Sequence, residues 1–207
     1  FLPENSLDKE TKISVDIAFK TTPNGAVVSL GKASYLFVLF KTIIELKAGF
    51  IVNAPFRTPP NRESIYFNNS HNDYIIENLL LLFETVLGVM KNEKLITFDL
   101  LRLLPFGDIS AYEEDNVNML VTRPLQEKLA EIVLNEPLLP SVDGDLCNLQ
   151  HSVIISKRLA FVFSPVQIKT LFSLEFIPAF LASEIEHDTN RDIIAFIKRR
   201  YRGNFEI

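Results

Sequence analysis

YLFVLFKTIIELKAGFIVNA, residues 35–54, is the stretch on which the fold turns. Two runs within it, YLFVLF (35–40) and GFIVNA (49–54), are short and apolar almost throughout. That length and composition predict two central strands rather than a helix. Upstream, ISVDIAFKTTPNGAVVSL (13–30) alternates Ile13, Val15 and Ile17 with polar partners and then reaches Pro23-Asn24-Gly25. Alternation followed by such a tripeptide predicts a hairpin. Four strands without a good helix between them point to an α+β fold: a mixed or antiparallel sheet of about four strands followed by a mainly helical portion. A doubly wound nucleotide fold would need strands and helices to alternate.

Downstream the hydrophobic period changes from two to that of a helix. Ile75, Ile76, Leu79, Leu80, Phe83, Val86, Leu87 and Met90 fall on one helical face, with Asn72 or Asp73 as the expected cap. ITFDLLRLLPF (96–106) predicts a shorter helix ending near Pro105. DISAYEEDNVN (108–118) is polar and acidic, which suits a connector. The expected division is therefore a strand-rich segment with helices over 1–107, a connector over 108–118, and a mainly helical domain over 119–207. Within the last, Leu125, Leu129, Ile132 and Val133 mark a helix ending before Pro137. LLPSVDGDL supplies an extended piece with an Asp143-Gly144 turn, and two further helices are expected over 166–181 and 190–199.

Composition narrows the function classes. The 207 residues are 47% hydrophobic and 23% charged, as expected of a chain with a substantial core. The net charge of -5 argues against a broad nucleic-acid surface. Lys198, Arg199, Arg200 and Arg202 form the densest basic cluster, where a solvated helix end is the simplest explanation. The single cysteine, Cys147, excludes an internal disulfide and a cysteine-based zinc site, and suggests a reducing, cytoplasmic setting. The opening FLPENSLD has neither an initiator methionine nor a signal-like pattern, so a fragment or one piece of a processed or split protein is expected. Lys41, Glu77 and Glu84 interrupt the greasiest runs before they reach the ~20 residues of a membrane span, so no membrane association is expected.

Motifs for chemistry are sparse. His71, His151 and His187 are widely separated, and no phosphate loop, nucleophile elbow or dinucleotide fingerprint occurs. The loop NAPFRTPPNRE (53–63) remains. Pro55, Pro59 and Pro60 restrict its backbone, and Arg62 stands where the chain turns back toward apolar character. A guanidinium keeps its charge when partly buried and its fork suits phosphate oxygens. From the residues alone, an ion pair of Arg62 with Glu63 or Asp73, or plain exposure, accounts for it at least as well.

The stretch from SVDIAFK through FIVNAPFRTPPNRESI resembles the region that follows the ATP-binding lobe in sacsin-like members of the Hsp90-type (GHKL) ATPase superfamily. The residues carrying the likeness are Ile17-Ala18-Phe19, Leu36-Phe37-Val38 with Thr42, and Phe50 through Ile65. LLRLLPF and LLPSVDGDL are similar to later family stretches, so the likeness spans about residues 13 to 156. In that family an "N.SRE" loop sends an arginine to the γ-phosphate of ATP held in the preceding lobe. The resemblance thus implies a nucleotide-contacting role for Asn61 and a catalytic one for Arg62, in an ATP- and Mg2+-dependent parent protein of chaperone type. The loop here reads PPNRE rather than "N.SRE", and the family's "DxGxG" segment and glycine-rich lid are missing from the 207 residues. The chain alone is therefore expected to bind neither cofactor in the family's manner.

Two functional classes follow. One is the transducer portion of such an ATPase, with an N-terminal ATP-binding lobe in the same or a separate chain as its partner. The other is a non-catalytic module that binds other proteins as a scaffold. A nucleic-acid-associated role rests only on the basic tail.

Overall fold

A computed structural model of the chain describes residues 14–31, 34–61, 63–109 and 119–200. The first part forms β1 (Asp16–Ala18), β2 (Lys20–Thr21), β3 (Val27–Val28), β4 (Ser34–Val38), β5 (Phe40–Leu46) and β6 (Ile51–Asn53). Four of these make one sheet in the order β1-β6-β4-β5. Its central pair, β4 and β6, is parallel, with Leu36 opposite Val52, while β1–β6 and β4–β5 are antiparallel. The fold is α+β with a mixed four-stranded sheet, as the sequence predicts. Leu36, Val38, Ile44, Leu46 and Val52 point inward, the period-two burial expected of a sheet covered on one face.

The four strands are not the four expected ones. YLFVLF is not a single strand: the chain reverses at Leu39, which has φ of 61° and is 78% exposed, and Val38 pairs with Phe40. KTIIEL, which follows, then forms most of β5, placing Thr42, Ile44 and Leu46 on the core face. The buried Thr42 hydroxyl is satisfied there, donating to the Leu36 carbonyl at 2.8 Å and accepting from Ile44 N–H at 3.1 Å.

The hairpin turn at Pro23-Asn24-Gly25 forms as expected. Gly25 adopts φ of 82°, and Thr22 N–H donates to the Ala26 carbonyl at 2.8 Å; the positive φ is easy only for glycine. Only β2 and β3 pair across this turn, however. β1 leaves the hairpin and lies along β6, because Val15, Ile17 and Phe19 find apolar partners against the main core.

Helix α1 (Ser70–Asn92) lies on the sheet through Ile75, Leu79, Phe83, Leu87 and Met90. Phe83 stacks at 5.8 Å on Phe50, which meets Phe19 at 5.1 Å. Its cap is Asn69, whose side chain accepts from Asn72 N–H, rather than Asn72 or Asp73. The helix expected over 96–106 shrinks to one turn, α2 (Phe98–Leu101). Pro105 cannot donate to a helical ladder, and the Leu103 carbonyl instead accepts from Gly49 N–H at 2.6 Å.

Helix α3 (Met119–Asn135) ends before Pro137 as expected. The Asp143-Gly144 turn joins β7 (Leu139–Pro140) to β8 (Leu146–Cys147), with Gly144 at φ of 88°. β9 (Ser152–Val153) precedes two short helices, α4 (Lys157–Val162) and α5 (Pro165–Leu171). A single helix over 166–181 does not form. The chain passes through Ser173 at φ of 52° and continues past Pro178 into β10 (Ala179–Phe180), parallel to β9. This strand buries Phe180 with Val153, Ile155 and Ile168 in a small satellite cluster. Two 3-10 turns, Ser183–Glu186 and Asp188–Asn190, lead into the last helix, α6 (Arg191–Arg200).

One contiguous core runs from the sheet through α1, α2 and α3 to Ile193, Phe196 and Ile197 of α6. Phe106 and Phe196 meet edge to face at 5.1 Å, and Gln126 donates to the Gly107 carbonyl. Buried contacts therefore join residues on both sides of the 108–118 segment, most of which lies outside the described residues. Among the described residues no helix is long and apolar enough to cross a membrane.

Candidate functional site

Between β6 and α1 the chain forms a loop whose base is tied down by hydrogen bonds. Ala54 extends the sheet by donating to the Phe37 carbonyl at 3.1 Å. Phe56 on the outgoing arm and Ile65 on the returning arm are both buried in the core. These apolar residues anchor the loop; the prolines restrict it between the anchors. Tyr66 N–H closes the base on the Arg57 carbonyl at 3.1 Å.

Asn72 locks this closure. It is 1% exposed and lies in the first turn of α1. Its Oδ1 accepts from Arg57 N–H at 2.7 Å, and its Nδ2 donates to the carbonyls of Arg57 and Tyr66, both at 3.0 Å. One carboxamide thus joins both arms of the loop to the start of the helix. His71 adds a contact from Nε2 to the Pro55 carbonyl at 3.0 Å; a carbonyl can only accept, so the Nε2 proton is present. The sequence offered Asn72 or Asp73 as the cap. The signal it missed was Asn69, three residues earlier, which takes the capping role and releases Asn72 for the loop.

At the tip, Asn61 is exposed and turned on its own neighbourhood. Its Nδ2 donates to Glu63 Oε2 at 2.8 Å, and its Oδ1 accepts from Glu63 N–H at 3.3 Å. Arg62, the residue singled out from sequence, lies outside the described residues. Arg57 is exposed at the loop base.

The remaining candidates occupy separate places. Arg199 of the basic tail pairs with Asp108 at 2.6 Å, and the Arg200 guanidinium sits 5.7 Å from the Phe196 ring centre; Arg202 lies outside the described residues. Cys147 is half-buried, with its thiol against the Leu139 carbonyl at 3.4 Å. Burial pushes its pKa up to about 11, so it is a poor nucleophile near neutrality. His151 and His187 make local contacts with Asn148 and Thr189. No group of three or more His, Cys, Asp or Glu placed to hold a metal ion occurs among the described residues.

Comparison with known proteins adds no relative: no family model, curated protein or solved structure matches the chain.

Proposed function

We propose that this chain is the transducer portion of an Hsp90/sacsin-like ATPase, with the loop between β6 and α1 presenting Arg62 to ATP held by another segment. The observation that carries this reading is the anchoring of that loop. Asn72 ties both arms to α1, so force on the tip passes directly to a helix of 23 residues that packs on the sheet. The nucleotide lobe, in the same or a separate chain, would supply ATP with its Mg2+. In that complex the Arg62 guanidinium would offset negative charge on the transferring phosphoryl group, and Asn61 would shape the approach beside it. The division of labour between residues 1–107 and 119–207, a cytoplasmic site of action and a chaperone-type role belong to the same proposal.

The test is steady-state ATP hydrolysis by the parent protein containing the nucleotide lobe, wild type against Arg62→Ala, with nucleotide affinity measured alongside. A fall in rate of at least about tenfold with affinity nearly kept is expected. Unchanged rate and affinity in a folded variant would remove Arg62 from catalysis. They would leave the second reading, a non-catalytic protein-interaction module. That reading is favoured by the apolar surface of α4 and α5, where Phe161 is 92% exposed and Val162, Val166, Leu171 and Phe172 are also exposed.

A further inference from the structure

Strand β5 (Phe40–Leu46) stands at one edge of the main sheet, and among the described residues it pairs with β4 alone. An edge strand carries a row of backbone donors and acceptors that another strand can meet. The hydrogen bonds show which residues turn outward. The Phe37 carbonyl accepts from Ala54 N–H on the β6 side, so alternation turns the Leu36 carbonyl toward β5. There it accepts from the Thr42 hydroxyl, which in turn accepts from Ile44 N–H. The backbone groups of Ile44 therefore face β4, and those of Ile43 face the outer edge.

The side chains sort in the same alternation. Thr42, Ile44 and Leu46 are buried on the core face, which leaves Lys41, Ile43 and Glu45 on the opposite one. Ile43 is 65% exposed, and Phe40 at the start of the strand is 64% exposed. Lysine on an edge usually discourages pairing. Here Lys41 lies over the Tyr35 ring at 3.8 Å, and a carboxylate, Glu45, follows on the same face, beside Lys47 at 3.2 Å.

We propose that β5 pairs with β5 of a second copy of this chain, antiparallel about a two-fold axis at Ile43, joining two four-stranded sheets into one. A two-fold interface brings the same patch of both copies together. About this axis Ile43 meets its own counterpart, and Lys41 of each copy stands opposite Glu45 of the other. Phe40 stands opposite Leu46 on the core side. Opposed unlike charges and apolar pairs both stabilise an antiparallel ladder. The charges also select the register. Moving the axis to Ile44 sets Lys41 against Lys47, and moving it to Thr42 sets Lys41 against Ile43; neither keeps the ion pairs. This surface involves neither Arg62 nor the loop before α1.

The experiment is sedimentation equilibrium of the 207-residue chain from about 5 µM to about 1 mM. Wild type is compared with Lys41→Glu, with Lys41→Glu combined with Glu45→Lys, and with Ile43→Lys, and the urea midpoint of each is measured at the lowest concentration. Wild type is expected to dimerise with a Kd of about 100 µM or tighter. Lys41→Glu sets like charges opposite each other and should weaken the dimer about tenfold or more, while the double exchange recovers most of that loss. Ile43→Lys, with two cations at the axis, should weaken it at least about tenfold. Both single changes are at exposed positions and should leave the urea midpoint in place. A chain still monomeric at about 1 mM overturns the proposal and leaves the edge to a strand of another protein. So does a dimer indifferent to Lys41→Glu and Ile43→Lys, or one that the double exchange does not restore.

Discussion

The carboxamide of Asn72 serves three backbone groups at once, the N–H and carbonyl of Arg57 and the carbonyl of Tyr66. Truncation to alanine removes all three partners from a closed position, and an unsatisfied partly buried group costs more than the net value of the bond it lost. Asn72→Ala is expected to destabilise the chain by about 2 kcal/mol in urea unfolding. The sharper readout is local: amide exchange at Arg57 and Tyr66 should accelerate more than exchange in the middle of α1. Uniform acceleration along the chain would mean that Asn72 supports the fold without fixing the loop. The sequence exposed the loop through its prolines and Arg62, but not its fastener. Asparagine near a helix start reads as a cap, and only the chain path shows that Asn69 already fills that role.

At the scale of elements, the joint between the β5–β6 turn and the segment after α2 depends on Gly49. A β-carbon placed there would lie 2.8 Å from Leu103 Cβ and 3.0 Å from Leu103 Cα. The backbone of that segment would have to move, breaking the Gly49–Leu103 hydrogen bond. Gly49→Ala is expected to lower stability by about 1–3 kcal/mol, and calorimetric melting checks it. A neutral substitution would show that the Leu103 segment yields easily. Elements with a strong local pattern, α1 and the two glycine turns, were legible from sequence. Those whose pattern was apolar but aperiodic were not. YLFVLF splits at Leu39, and the segment 166–181 breaks at Ser173 and gives its end to β10.

For the whole molecule, two proton-holding groups among the described residues contribute to the response to alkali. Lys128 of α3 bonds to Glu84 of α1 at 2.8 Å, and that contact raises its pKa above the ordinary 10.5 despite the opposing effect of burial. Cys147 is raised from 9.0 to about 11 by burial. Both bind protons more tightly in the folded chain than in the unfolded one. Their stabilising contribution is therefore complete below the unfolded values and is lost as pH rises through the folded ones. The urea midpoint should hold up to about pH 9 and then decline toward about pH 11. Cys147→Ala should flatten the first part of that decline, whereas a variant that declines like wild type would exclude the thiol as a cause.

By itself the sequence determined the α+β class, the glycine-dependent turns, the helical face of α1 and the exposed proline loop. Each follows from local rules: φ preference at glycine and proline, or a hydrophobic period sustained over many residues. Tertiary structure alone decided which strands pair, how Asn72 closes the loop, and how the β5–β6 turn joins the segment after α2 through Gly49 and Leu103. Those outcomes depend on which buried groups find partners across long sequence separations, and no local pattern encodes where a partner will stand.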